Sequence, residues 1–223
     1  MGENRHKQNY TSYTDKKAVS GKSYKYFVLA SDGNFKSAKI TSSSFKYLST
    51  PTTKATVISG GVKVSWNKSN GANLYTVYRS TYSGSKWSSW TKIGTSKSLS
   101  YTDKKVSSGK TVKYSVVASN GNTLSARKAS AQMKYLSAPS LKAAVTADGI
   151  KVSWSKVAGA SKYAVYRCIS KNGKWTEWKE IGKTSSLNFT DKNVKKGTVY
   201  IYRVKAINGK ASGAYSSWVK IKK

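Results

Sequence analysis

The chain has 223 residues, 38% of them hydrophobic, with 16 Tyr and 7 Trp, so globular cores are within reach and large aromatics must supply much of the buried surface. Its 41 Lys and Arg against 8 Asp and Glu give a formal charge of +33, while a single Cys and a single His exclude an intrachain disulfide, a thiolate cluster and a His-based nucleophile pair. No apolar run approaches the roughly 18 residues of a membrane-spanning helix, and a signal peptide or wall anchor is expected to lie outside this piece.

An internal repeat governs the rest. Val64-Ser65-Trp66 and Tyr75-Thr76-Val77-Tyr78-Arg79 return 88 positions later as Val152-Ser153-Trp154 and Tyr163-Ala164-Val165-Tyr166-Arg167. Trp87, Trp90, Ile93 and Gly109 return as Trp175, Trp178, Ile181 and Gly197 without a gap. Run backwards, the same offset maps Tyr101-Thr102-Asp103 onto Tyr13-Thr14-Asp15 and Asn120-Gly121 onto Asp32-Gly33.

Residues 1–46 match only the second half of the unit, including the strand from Tyr24 to Ala30. The Trp-bearing half is absent. Half a unit leaves an apolar face uncovered, so this stretch reads as a gene fragment, poorly packed unless another chain completes it. Complete copies are expected at residues 47–134 and 135–223, each opening on a proline, Pro51 or Pro139, that stops pairing ahead of a new edge strand. No Gly/Ser spacer separates them, which predicts a semi-rigid rod.

Within each copy the hydrophobic period is two. Val62, Val64 and Trp66 alternate with Lys63 and Ser65; Tyr200, Tyr202, Val204 and Ala206 alternate with Ile201, Arg203 and Lys205. Gly60-Gly61, Asp148-Gly149, Asn120-Gly121 and Asn208-Gly209 read as tight turns, the last two as two-residue hairpin loops. The prediction is an all-β chain of tandem seven-stranded antiparallel sandwiches with an inward Trp on each second strand.

The Val-Ser-Trp strand, the Tyr-x-Val-Tyr-Arg strand, the Tyr-Thr-Asp before the sixth strand and the run from Gly197 to Gly209 resemble fibronectin type III domains. More narrowly, the sequence resembles the lysine-rich tandem repeats of surface and secreted proteins of gut Gram-positive bacteria, which implies an extracellular, cell-surface location. Where Tyr24 and Tyr200 would form the tyrosine corner of that family, the middle copy has Val112, and it is expected to be the less stable copy.

Catalytic residues, metal ligands and cofactors are not expected. His6 stands alone near the start, and Glu177 and Glu180, the one close carboxylate pair, fall on opposite faces of a strand at that spacing. Asp15, Asp103 and Asp191 suit turn capping through backbone amides. Cys168 suits a small, half-buried position.

The candidate ligand-binding residues are Tyr78, Trp90, Tyr166, Trp178, Arg203 and Lys205. By alternation, Trp90 and Trp178 point away from Trp87, Ile93, Trp175 and Ile181; with the Ile side inward, they share the outer face with Tyr78 and Tyr166. Lys and Arg stems folded over cross-strand aromatics would make this face structural, at about 1 kcal/mol per pair. Left accessible, the same face suits a sugar ring or a partner protein. The leading role is therefore a surface module that binds a host protein or glycoprotein, with mucosal glycoprotein and immunoglobulin as candidate partners. The alternatives are a passive spacer and a binder of glycan or anionic wall polymer. Five Arg among 41 basic residues argue against sequence-specific nucleic-acid reading.

Overall fold

The computed structural model describes residues 11–171 and 173–223; His6 lies outside them. Among the described residues there is no α-helix. In the middle copy, Thr53–Ile58, Gly61–Trp66 and Ser100–Asp103 form a three-stranded antiparallel sheet with Gly61–Trp66 at its centre. The facing sheet is built on Leu74–Ser83 and Thr111–Asn120, in register from Thr111 opposite Tyr82 to Ser119 opposite Leu74. Lys86–Trp87 and Thr91–Ser96 flank it on one side, Thr123–Leu124 and Met133–Lys134 on the other. The last copy repeats this plan around Gly149–Trp154 and around Lys162–Lys171 with Val199–Asn208.

Alternation decides which side chains meet between the sheets. Val62, Val64, Val77, Tyr114 and Val116 are fully buried in one core, as are Ile150, Val152, Val165, Tyr202 and Val204 in the other. The cores change over between Tyr135 and Leu136. Trp66 packs against Tyr75 and Trp154 against Tyr163, each pair with ring centroids 5.5 Å apart. The phenol of Tyr75 accepts from the Ser69 amide at 3.1 Å and that of Tyr163 from the Val157 amide at 2.9 Å, so neither buried hydroxyl goes unpaired.

The edge strands are short for a chemical reason. Ser125 Oγ and Ser130 Oγ accept from the amides of Ala118 and Tyr114, both at 3.0 Å, and Ser88 Oγ accepts from the Thr81 amide at 3.1 Å. A hydroxyl thus replaces a backbone partner and interrupts the ladder, which blunts an edge that could otherwise recruit another chain.

The hairpin loops are shifted from their predicted register. Asn120 pairs with Thr123, so Gly121 and Asn122 form the loop, and Gly121 has φ 57°. Asn120 Nδ2 instead donates to the Gly71 carbonyl at 2.5 Å, and Asn208 Nδ2 does the same to Gly159 at 2.7 Å.

Successive copies meet through a repeated joint. Ser108 Oγ donates to the Ala158 carbonyl at 2.9 Å and accepts from the Ser137 amide at 3.0 Å; Ser20 makes the matching bonds to Asn70 at 2.8 Å and Ser49 at 2.9 Å. Leu48 and Leu136 are buried beside these joints. In residues 11–46 the strands are two-residue pieces: Ser23–Tyr24 pairs with Phe45–Lys46 and Phe27–Val28 with Ile40–Thr41.

Candidate functional site

The outer face of the larger sheet carries the candidate residues, and a β-bulge aims them. Val77 lies opposite Gly94 but Tyr78 lies opposite Lys92, which makes Ile93 the extra residue. Ile93 turns into the core, so Trp90 is left outside near Tyr78. Tyr101 holds the bulge by donating to the Ile93 carbonyl at 2.6 Å, with its ring where a Cβ of residue 94 would stand, so Gly94 must lack one. The last copy bulges at the equivalent place, with Phe189 packed over Gly182.

In the middle copy the guanidinium of Arg127 sits 4.0 Å from the Tyr78 ring centre and 5.6 Å from that of Trp90. The ammonium of Lys113 sits 4.2 Å from Trp87 and 5.5 Å from Trp90. In the last copy Arg203 lies between Tyr215 at 3.6 Å and Trp178 at 4.1 Å, with Tyr166 at 5.7 Å. Lys205 adds contacts to Tyr215 at 5.0 Å and Tyr166 at 5.4 Å. The structure thus groups Tyr166, Trp178, Arg203 and Lys205 in one cluster and Tyr78 with Trp90 in another, all half-buried.

The Nε of the sandwiched Arg203 is buried and has no hydrogen-bond partner in the structure. Tyr166 donates to Glu180 at 2.8 Å, and burial first, then this bond, pushes the phenol above its ordinary value. The bonds from Tyr166 and from Lys183 hold Glu180 below the usual carboxylate range.

One orientation differs from the prediction. Trp87 lies under the same Lys113 as Trp90 rather than on the Ile93 side, and Trp175 is 44% exposed. The ladder breaks at Ser88-Ser89, where Ser88 bonds Thr81 through both its amide and its hydroxyl, so alternation cannot be carried from Trp87 to Trp90.

Sequence reasoning missed Lys113, Arg127 and Tyr215. The 88-residue offset contains the signal: Ser115 corresponds to Arg203 and Arg127 to Tyr215. The guanidinium moves from an edge to a central strand, and an aromatic ring takes the vacated place.

A second cluster, also missed, is buried. Asp103 Oδ1 caps the turn by accepting from Lys105 at 3.0 Å, as expected, while Oδ2 accepts from Arg79 at 2.7 Å and from the Tyr114 hydroxyl at 3.0 Å. Asp191 repeats this with Arg167 at 2.6 Å and Tyr202 at 2.8 Å. A carboxylate this saturated with donors and hidden from solvent is structural rather than a general base. Cys168, expected half-buried, is 2% exposed, and burial pushes its thiol up, which opposes thiolate chemistry. Among the described residues no group of three or more His, Cys, Asp or Glu is placed to hold a metal ion.

No protein-family model matches the sequence, and no curated protein aligns with it. Similar solved structures include a Fn3-like protein from Clostridium thermocellum, 34% identical, covering 38% of this chain and 88% of that one at a TM-score of 0.33. The complete copies are fibronectin type III-like domains. The chicken interferon gamma receptor alpha chain is 13% identical, covering 78% of this chain and 97% of that one at 0.40. The FN1-FN3 domains of chicken CNTN1 are 18% identical, covering 92% and 77% at 0.29. The fibronectin type III tyrosine corner is formed by Tyr200, whose hydroxyl accepts from the Lys195 amide at 2.8 Å, and by Tyr24 with Val19 at 2.7 Å; Val112 has no hydroxyl to offer.

Proposed function

We propose that this chain is a non-catalytic, extracellular bacterial surface module that binds a host protein or glycoprotein through the outer faces of its fibronectin type III-like domains, residues 47–134 and 135–223. The observation that carries the reading is the ladder of half-buried aromatic rings with cations stacked on them, present on the outer face of both complete copies with Tyr78 and Trp90 equivalent to Tyr166 and Trp178 and the cations supplied from different positions. Planar rings with a guanidinium stacked between them present the groups that dominate binding hot spots. The same stacking also stabilises the sheet, so ligand capture and domain stability must be measured separately.

The test exposes the immobilised chain to mucosal glycoprotein and to immunoglobulin at low and at about 0.15 M salt. Capture that survives salt and disappears in Y166A/W178A, with the last domain still folded by circular dichroism, supports this reading. Capture lost with salt alone points to a polyanion such as a wall polymer, since counterion release then drives binding. The absence of capture at either salt favours a spacer, for which the short serine-bonded joints between copies already suffice.

A further inference from the structure

The smaller sheet of each complete copy turns a second face outward, opposite in character to the aromatic one. Because Val62, Val64 and Trp66 are buried, Lys63 and Ser65 point away from the core, and the register sets Lys54, Thr56, Ser100 and Thr102 beside them. No aromatic ring and no carboxylate stands at these positions. Lys54 lies opposite Ser65; Lys63, two residues along that strand, lies opposite Thr102; Lys104 follows two residues after Thr102, where a Cβ on Gly61 would come within 3.3 Å of its Cα. The three lysines therefore form a diagonal row across three strands, with neighbours about 7 Å apart. The last copy repeats the row, with Lys142 opposite Ser153, Lys151 opposite Thr190 and Lys192 beside Gly149. All six lysines are exposed.

Neither row has an anion of its own. Asp103, the single carboxylate in residues 47–134, is buried and held by Arg79. In the last copy Asp191 is likewise buried against Arg167, and Glu180 lies on the larger sheet with Lys183. Among the described residues, none of the six lysines is in an ion pair. Three like charges in line repel one another until an outside anion runs along them. Ammonium point charges suit single charges strung on a flexible chain, whereas planar carboxylates favour the guanidinium fork that the row lacks. With no ring on which a base could stack, a chain that carries bases gains nothing from them here.

We propose that each lysine row is a rail for a linear polyol-phosphate polymer, on the face opposite to the ring clusters and independent of them. Successive phosphates seat on Lys54, Lys63 and Lys104 in the middle copy and on Lys142, Lys151 and Lys192 in the last. The hydroxyls of Thr56, Ser65 and Thr102 stand between the middle lysines and donate to phosphate oxygens. Two rows on one chain make the second engagement intramolecular, so one polymer strand bridging both is held more tightly than either row would hold it.

The experiment measures binding of the full chain to immobilised poly(glycerol phosphate) between about 0.05 and 0.2 M salt. It compares wild type with K54Q/K63Q/K104Q/K142Q/K151Q/K192Q and with a control of equal charge, K86Q/K97Q/K128Q/K174Q/K196Q/K210Q, whose exposed lysines lie elsewhere on the same two domains. The slope of log affinity against log salt is expected to flatten by about 4 in the row variant, at roughly 0.7 per lost phosphate contact, and to stay near the wild-type value in the control. Equal flattening in the two variants overturns the proposal, because the lysines would then act as an undivided coat. Tighter binding of hyaluronate or of single-stranded DNA than of poly(glycerol phosphate) overturns the choice of occupant. Capture of host glycoprotein that survives about 0.15 M salt is expected to be unchanged in the row variant, so failure here leaves the aromatic-face reading standing.

Discussion

Gly159 lies directly against Gly109, so close that a methyl group on Gly159 would collide with the Gly109 Cα. Gly71 and Gly21 repeat the contact one copy earlier. Both joints also carry the bridging serine, so backbone meets backbone with no side chain to slide on. Gly109 has φ 85° and its equivalent Gly197 has φ 79°, but only Gly109 is in the joint; nothing lies within 4 Å of a Cβ at Gly197.

The G109A and G197A variants therefore separate strain from docking. Each costs its own domain about 1 kcal/mol for an L residue at positive φ. G109A alone is expected to loosen the joint, read as independent tumbling of the two domains in NMR relaxation and a broader distance distribution in small-angle scattering. Equal behaviour of the two variants would show that the contact of Gly109 with Gly159 does not restrain the joint.

The buried ion pair gives a second prediction. Asp103 is 3% exposed and Arg79 21%, so R79M leaves a carboxylate under the sheet with only Tyr114 and one amide as donors. The middle domain is expected to lose about 3 kcal/mol in denaturant unfolding, with the last domain unchanged. A loss no larger than about 1 kcal/mol, the value of an exposed pair, would mean that solvent reaches Asp103.

The strands and the cores were legible because burial writes a period of two into the sequence, and Val62, Val64, Trp66, Tyr202 and Val204 are buried where that period puts them. The outer face was legible through Tyr78, Trp90, Tyr166 and Trp178. What alternation cannot carry is a break in the ladder: the hydroxyl of Ser88 reset the facing of Trp87, and Asn120 moved a hairpin loop by one residue to bond Gly71. Partnerships distant in sequence were also invisible. Arg79 and Asp103 lie 24 residues apart on different sheets, and only the fold brings them to 2.7 Å.

The tyrosine corner yields a prediction about order of unfolding. Val112 is 1% exposed and has no hydroxyl, so the backbone amide equivalent to the one that Tyr200 bonds in the last domain lacks that acceptor. The middle domain is expected to melt first. Y200F removes the 2.8 Å bond to the Lys195 amide and keeps the packing, at a cost of about 1 kcal/mol, so the two transitions should draw together. A middle domain that melts last would show that its own contacts outweigh the missing hydroxyl.

High pH tests the buried phenols. Burial above all, and the nearby Asp103 and Asp191, push Tyr114 and Tyr202 well above the ordinary tyrosine value. An unfolded tyrosine loses its proton near pH 10, so above that value the unfolded chain binds fewer protons than the folded one, and stability falls by about 1.4 kcal/mol per pH unit for each such group. This contribution is complete below pH ~10 and is lost as pH rises towards the folded values. Lysine deprotonation in the same interval relieves repulsion in every variant, so the comparison that isolates the phenol is wild type against Y202F. The advantage of wild type in the last domain is expected to shrink from pH ~10 upward, with tyrosinate absorbance appearing in step with unfolding. An advantage that stays constant with pH, or tyrosinate signal from Tyr202 in the folded domain, would contradict the buried Asp191–Tyr202 contact on which the prediction stands.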